Sequence, residues 1–245
     1  MIYDCILYNG EKSLLDIRLN ETRLADDWVT TVIVEANKTH TGWDKPLYFE
    51  QHKDEFKNFN IFYFVVEFPE LSATPREREA YQRNQIKRAL EFLEPQPNDT
   101  IIVSDVDEVP RARQIKLFKH QIGFAALMMD KYAYYLNNLE EFQIWQRAKI
   151  MSWEYLKNKE VEKVRNSGYD FCISHAGWHW SWCEDPIRKL QSFSHTELDT
   201  PENIERVEKK ENVWNDAKFK RIDIDLSHPE YLYKNQERFK SLILP

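Results

Sequence analysis

Thr100 to Val103 (Thr-Ile-Ile-Val) is a β-branched run entered from the turn residues Pro97, Asn98 and Asp99, and it leads straight into Asp105, Asp107 and Glu108. A short continuous apolar run bounded by turn residues reads as a strand buried on both faces. Such a strand needs structure packed above and below it, and in open α/β sheets ligands bind in the crevice beyond the carboxyl ends of the strands. The three acids therefore stand at the mouth of a crevice, where like charges repel and a cation would remove the cost. Asp105 and Asp107 are spaced so that both can reach one hard metal, or one metal-bound diphosphate. The competing reading is an acidic turn capping a helix that begins at Pro110, since acids near a helix start are favourable.

The rest of the chain supports the α/β reading. Ile2 to Tyr8 reads as a strand, and Glu11 to Arg23 as an amphipathic helix with Leu14, Leu15, Ile17 and Leu19 on its apolar side. Val29 to Glu35 is a second buried strand, with Glu35 and Asn37 at its end, followed by a polar loop from Lys38 to Lys45. Asn60 to Val66 is a third strand, and the periodicity of Tyr81, Ile86, Ala89, Leu90 and Leu93 predicts a helix over 76–94. This alternation predicts a single domain with a Rossmann-like, mostly parallel central sheet flanked by helices. Further on, the expectations are a helix over 110–120, one bent strand or two over 124–136, a strand over 144–151 and a helix over 153–166. Asp170 to Trp182 crowds His175, His179, Trp178, Trp180 and Trp182 together. A helix over 186–194 then leads into His195-Thr196-Glu197, and residues 201–245 read as a charged, largely helical extension.

Composition excludes several classes. The formal net charge is −7, and a nucleic-acid binder needs a basic face to release phosphate counterions. Only five Gly are present, which argues against a Gly-rich phosphate cradle. Cys5, Cys172 and Cys183 show neither metal-ligand spacing nor a disulfide framework. Met1 to Tyr8 is too short and too lightly charged for a signal peptide, and no stretch approaches the ~20 apolar residues that span a bilayer. The expectation is a soluble, cytoplasmic protein.

Six stretches, in order, resemble glycosyltransferase family 17, over roughly residues 3–200. They are Leu14-Leu15-Asp16-Ile17-Arg18-Leu19-Asn20, Val32 to Gly42, Gln82-Arg83-Asn84-Gln85, Ser104 to Pro110, Gly177-Trp178-His179, and Ser192 to Glu197. The resemblance implies a GT-A type fold, a UDP-sugar donor (N-acetylglucosamine in the characterised animal members), a divalent metal (Mn²⁺ or Mg²⁺) and inversion at the anomeric carbon. The chain lacks the membrane anchor and stem of the animal members, which points away from an N-glycan acceptor in the Golgi and toward a soluble or lipid-linked saccharide.

Roles follow from what glycosyl transfer requires. Asp107 would hold the metal that offsets charge on the departing diphosphate. Asp105 would reach the ribose hydroxyls or a metal-bound water, and Glu108 would serve as a hydrogen-bond acceptor, a helix cap or a direct contact. His179 and His195 are candidate metal ligands, neutral imidazole being suited to Mn²⁺, with a hydrogen-bonded core histidine as the alternative for each. Glu197 and Asp185 are candidate general bases, Asp130 a third, and Asp185 equally suits the helix cap before Pro186. Glu35, Asn37 and Thr39 are placed for the nucleobase and ribose, and Arg83 for the diphosphate. Trp178 or Trp180 would line the acceptor site unless they pack in the core. Two rivals stand beside the transferase: a metal-dependent phosphodiesterase or phosphoryl-transfer enzyme, and a non-catalytic carbohydrate-binding module.

Overall fold

A computed structural model describes residues 1–69, 74–119, 123–215 and 217–245. Ten strands form one sheet: β1 (Ile2–Leu7), β2 (Val29–Ala36), β3 (Ile61–Val66), β4 (Thr100–Asp105), β5 (Glu108–Pro110), β6 (Phe124–Ala133), β7 (Asn138–Trp145), β8 (Lys149–Ser152), β9 (Phe171–Ser181) and β10 (Phe219–Arg221). The helices are α1 (Lys12–Thr22), α2 (Tyr48–His52), α3 (Pro75–Glu91), α4 (Ala112–Phe118), α5 (Trp153–Leu156), α6 (Val161–Asn166), α7 (Pro186–Ser192), α8 (Pro201–Glu208) and α9 (Glu230–Lys234). A 3-10 segment, Gln236–Leu242, closes the chain.

The α/β expectation holds, with a division inside the sheet. β3, β2, β1 and β4 lie side by side in parallel, joined by crossovers that include α1 and α3. From β4 onward the neighbours are mostly antiparallel: β8 against β4, and β6 against both β8 and β7. β9 returns parallel to β6, and its other edge takes β5. The reason is local, because short connections return the chain antiparallel whereas a parallel neighbour needs a long crossover.

Strand period 2 shows directly in the parallel half. Cys5, Val32, Val34, Ile101 and Val103 pack with Ile86, Ala89 and Leu90 of α3, while Ile6 and Ile33 pack with Leu15 and Leu19 of α1 on the opposite face. Thr74 and Glu77 make a reciprocal capping box at the start of α3, and Pro75 occupies its first turn. The start of α1 has no such cap of its own. Its Leu14 amide donates instead to Glu184 Oε1, 2.8 Å away, from the loop after β9. Burial of that carboxyl pushes its pKa up to about 7 despite the backbone donors.

Several boundaries differ from the sequence expectation. The run over 144–151 is the end of β7 and most of β8, separated by residues 146–148; the run over 153–166 breaks into α5 and α6. The acidic turn leads into β5 rather than directly into a helix, and α4 starts only at Ala112. His120, the expected end of that helix, lies outside the described residues. The segment after 201 does not stand apart. Ile224, Leu232 and Phe239 pack with Leu14, Ile17, Trp178 and Trp180, and Asp16 of α1 accepts from Tyr231 Oη at 3.2 Å and Arg238 Nε at 2.8 Å. Covered on both sides, α1 is buried from Leu14 to Thr22, polar residues included. No helix among the described residues is long and apolar enough to cross a membrane.

Candidate active site

The chain runs outward through β1, β2 and β3, then crosses back to place β4 on the other edge of β1, with Leu7 paired to Asp105. That reversal of strand order opens a crevice at the carboxyl ends of β1 and β4. A cavity of about 700 Å³ occupies it, with Tyr8 to Glu11 on one side and Asp105 to Asp107 on the other.

Two buried residues hold the backbone of the acidic turn. Arg18 is fully buried on α1 and pairs with buried Asp4 through Nε (2.7 Å) and Nη2 (2.5 Å). Its Nη1 donates to the carbonyls of Asp105 (2.9 Å) and Glu108 (2.7 Å), and its Nη2 to Ser104 Oγ (2.6 Å). Glu108, also fully buried, accepts from the Asp105 amide at 3.0 Å. Its two oxygens further accept from Trp145 Nε1 (2.5 Å) and from the Arg165 guanidinium (2.6 and 2.8 Å). Held by the Asp105 amide, the Trp145 indole and the Arg165 guanidinium, Glu108 anchors the turn.

The two aspartates differ in their company. Asp105 accepts from Arg83 Nη1 and Arg165 Nη2, both at 2.6 Å. Burial pushes its pKa up, but Arg165 and Arg83 outweigh that and hold the carboxyl down to about 2. Asp107 is 5% exposed. Its Oδ2 accepts from Lys189 Nζ at 2.6 Å and lies 3.7 Å from His179 Nε2. Burial is again outweighed, here by Lys189 and His179, and the carboxyl stays well below the usual range. The same pairing, with Glu11 adding to it, raises the pKa of Lys189 against the effect of burial. Sheet register places the histidine, since β9 pairs Glu108 with His179 and the Trp180 amide donates to the Asp107 carbonyl at 2.8 Å.

The remaining expected residues divide into those that face the cavity and those that do not. Thr39, Arg83, Asp105, Asp107, His179 and His195 line it. Glu35 is fully buried beneath the following loop, where its oxygens accept from Lys45 Nζ, the Tyr48 and Phe49 amides and Tyr63 Oη at 2.7–3.0 Å. Asn37 does not line the cavity, and its Oδ1 is buried without a partner. Asp185 caps α7, accepting from the Arg188 amide at 3.2 Å. Glu197 sits beside the mouth, accepting from Arg76 Nη2 and paired with His195 Nδ1, each at 2.9 Å. Asp130 lies on β6, outside the cavity lining. Trp178 and Trp180 are 1% and 0% exposed and stack on each other in the core.

Sequence reasoning passed over Arg165, Lys189, Glu11 and the structural role of Arg18. Arg18 lay inside a stretch of family resemblance and could have been singled out there. Arg165 sits in a polar helix and Lys189 in an amphipathic one, and neither carries a local signal that separates it from a solvated face.

Two crystal structures of Staphylococcus aureus TarS, residues 1–349, are similar to this chain at low identity. The first has 11% identity and a TM-score of 0.41 over 78% of this chain, which spans 62% of that one. The second, in complex with UDP, has 13% identity and a TM-score of 0.41 over 87% of this chain and 79% of that one. No curated protein matches the sequence. The sequence profile of glycosyltransferase family 17 matches residues 1–222. Covering nine-tenths of the chain, with the acidic turn, Arg18, His179 and Lys189 all inside the match, it shows that the chain belongs to glycosyltransferase family 17.

Proposed function

We propose that the protein transfers a sugar, N-acetylglucosamine by analogy with the characterised family members, from a UDP donor to a saccharide hydroxyl with inversion. The observation that carries this reading is the cavity at the β1/β4 switch, where Asp105 and Asp107 are ringed by the cations Arg83, Arg165 and Lys189. The nucleoside would lie over the ends of β1 and β2, beside Asn9 and Thr39, with the diphosphate against these cations. Preorganised positive charge in a water-poor site stabilises the leaving diphosphate without reorganisation during the reaction.

Asp107 and His179 are the residues that fit a divalent cation. Their nearest atoms, Asp107 Oδ2 and His179 Nε2, are 3.7 Å apart and both side chains are buried; Lys189 Nζ holds the same Oδ2 at 2.6 Å, so a bound cation would replace or share that contact. No cluster of three metal-ligating side chains occurs among the described residues, so the other ligands would be diphosphate oxygens and water, the usual arrangement for Mg²⁺ at phosphates. When bound, the cation supplies charge to the leaving group. Asp105, with both oxygens taken by guanidinium groups, orients those groups and offers its remaining lone pairs to ribose.

For the proton of the acceptor hydroxyl we assign His195 and Glu197 as a pair. A 2.9 Å contact to Glu197 Oε1 fixes the proton on His195 Nδ1, leaving Nε2 to accept. His195 lines the cavity, and its hydrogen bond, more than any other contact, holds Glu197 down to about 2, so the carboxylate stays charged. Asp185 is committed to its helix cap. The phosphodiesterase and binding-module rivals have no comparable support in the family match.

Thermal stabilisation by UDP tests the reading, since a ligand of the folded state stabilises it by RT ln(1 + [L]/Kd), about 2.7 kcal/mol at 100 Kd. Wild-type protein should shift with UDP, and further with Mn²⁺ present. Asp107→Ala should lose the metal-dependent increment while keeping its fold. Absence of any nucleotide shift in the wild type would refute the transferase assignment, and an unchanged Mn²⁺ increment in Asp107→Ala would refute the metal assignment.

A further inference from the structure

The cavity has two ends of unlike chemistry. The deep end carries buried ionic groups, with Arg83 at 2% and Asp107 at 5% exposure. The mouth carries Trp214, which is 47% exposed although it lines the cavity. His195 meets Trp214 at 87° with ring centroids 4.9 Å apart, and Phe193 meets it at 77° and 6.5 Å. Phe193 in turn stands against Trp182 at 75° and 5.6 Å. These perpendicular contacts brace the indole while almost half of its surface remains open to solvent. The Trp214 amide donates to Asn212 Oδ1 at 2.9 Å, and buried Asn212 donates to Glu140 Oε1 at 3.1 Å, so the ring is carried on a held segment of chain.

We propose that Trp214, braced by Phe193 and His195, is the platform on which a pyranose ring of the acceptor saccharide stacks; the proposal rests on the transferase reading above. The apolar C–H face of a pyranose suits an aromatic face, while its equatorial hydroxyls project outward to polar groups. Those groups are present at the mouth. Exposed Arg76 lines the cavity and bridges at 2.9 Å to Glu197, which also pairs with His195. A nucleoside diphosphate, the other flat ligand the cavity would take, is drawn by its charge to the deep cationic end, away from this corner. The platform also places a ring hydroxyl beside His195, which touches Trp214 directly.

The test uses the full chain and three forms: wild type, Trp214→Ala and Trp214→Phe. Each is applied to an oligosaccharide array with UDP present, and UDP affinity is measured separately by calorimetry. The expected result is a set of saccharides retained by the wild type, weakened by about tenfold or more in Trp214→Ala and restored to within about threefold in Trp214→Phe. UDP affinity and melting temperature should be the same in all three. Equal saccharide retention by Trp214→Ala, or no retention by the wild type, would overturn the platform. A fall in UDP affinity in Trp214→Ala would also overturn it, by placing the nucleobase on the indole. Wild-type protein that binds saccharides through Trp214 but no nucleotide would sustain the platform and remove the transferase reading.

Discussion

Replacing Arg18 with Met should be the most informative single change in the protein. Arg18 and Asp4 are both fully buried, so Arg18→Met leaves a carboxylate in the core without its two charged hydrogen bonds. It also removes the donors to the Asp105 and Glu108 carbonyls and to Ser104 Oγ. Removing one member of a buried ion pair costs about 3–5 kcal/mol. A domain of this size has about 5–15 kcal/mol in total and loses about 2–4 °C of Tm per kcal/mol. Urea titration should therefore show the midpoint falling by about a fifth or more, and Tm should drop by about 10 °C. The double variant Asp4→Leu/Arg18→Met removes the stranded charge and should recover most of that stability, because an apolar pair of similar volume often substitutes for a buried ion pair. It should still bind UDP weakly, since the acidic turn has lost its clamp. An Arg18→Met protein as stable as the wild type would refute the energetic argument. A double variant with wild-type UDP affinity would show that the clamp does not position the turn.

Two further outcomes follow from single positions. Glu184 has its folded pKa raised to about 7 from an ordinary 4.5. Its protonated form therefore adds stability that is fully present below about pH 4.5 and is lost as pH rises through about 7, up to about 3 kcal/mol in all. Glu184→Gln, which keeps an acceptor for the Leu14 amide, should flatten the decline in urea stability between pH 5 and 8; an unchanged slope would remove Glu184 from the pH dependence. At Gly177, with φ +156°, an added Cβ would run into the Val109 carbonyl oxygen and lie 3.0 Å from Pro110 Cα. Gly177→Ala should cost about 3 kcal/mol by forcing β9 away from β5, and UDP affinity should fall with it because that pairing sets His179 beside Asp107; wild-type stability would contradict the close approach.

The amino-acid sequence by itself determined the elements and their class. Val29 to Ala36 and Thr100 to Asp105 are strands because β-branched runs suit a pleat packed on both faces, and α3 starts where Thr74, Pro75 and Glu77 make a start signal. It also located the acidic turn and, through the six stretches of resemblance, the family that the profile match shows. The break between β7 and β8 and the split into α5 and α6 were illegible because neither interruption carries a Gly or Pro, the strongest local markers.

Only the tertiary structure decided which polar residues face the cavity. Glu35 stands at a strand end, as a ligand-binding residue would, yet the following loop and α2 bring three donors onto it and Tyr63 of β3 a fourth. Trp178 and Trp180 alternate along a strand, and pairing of β9 on both edges, under the cover of the carboxyl-terminal segment, puts them in the core. The partners of the acidic turn come from far along the chain. Arg165 lies 60 residues from Asp105, Lys189 lies 82 from Asp107 and Arg18 lies 90 from Glu108. Propensity and periodicity act over a few residues. A buried charge takes whatever opposite charge the fold brings within about 3 Å, because leaving it unpaired in the interior costs several kcal/mol.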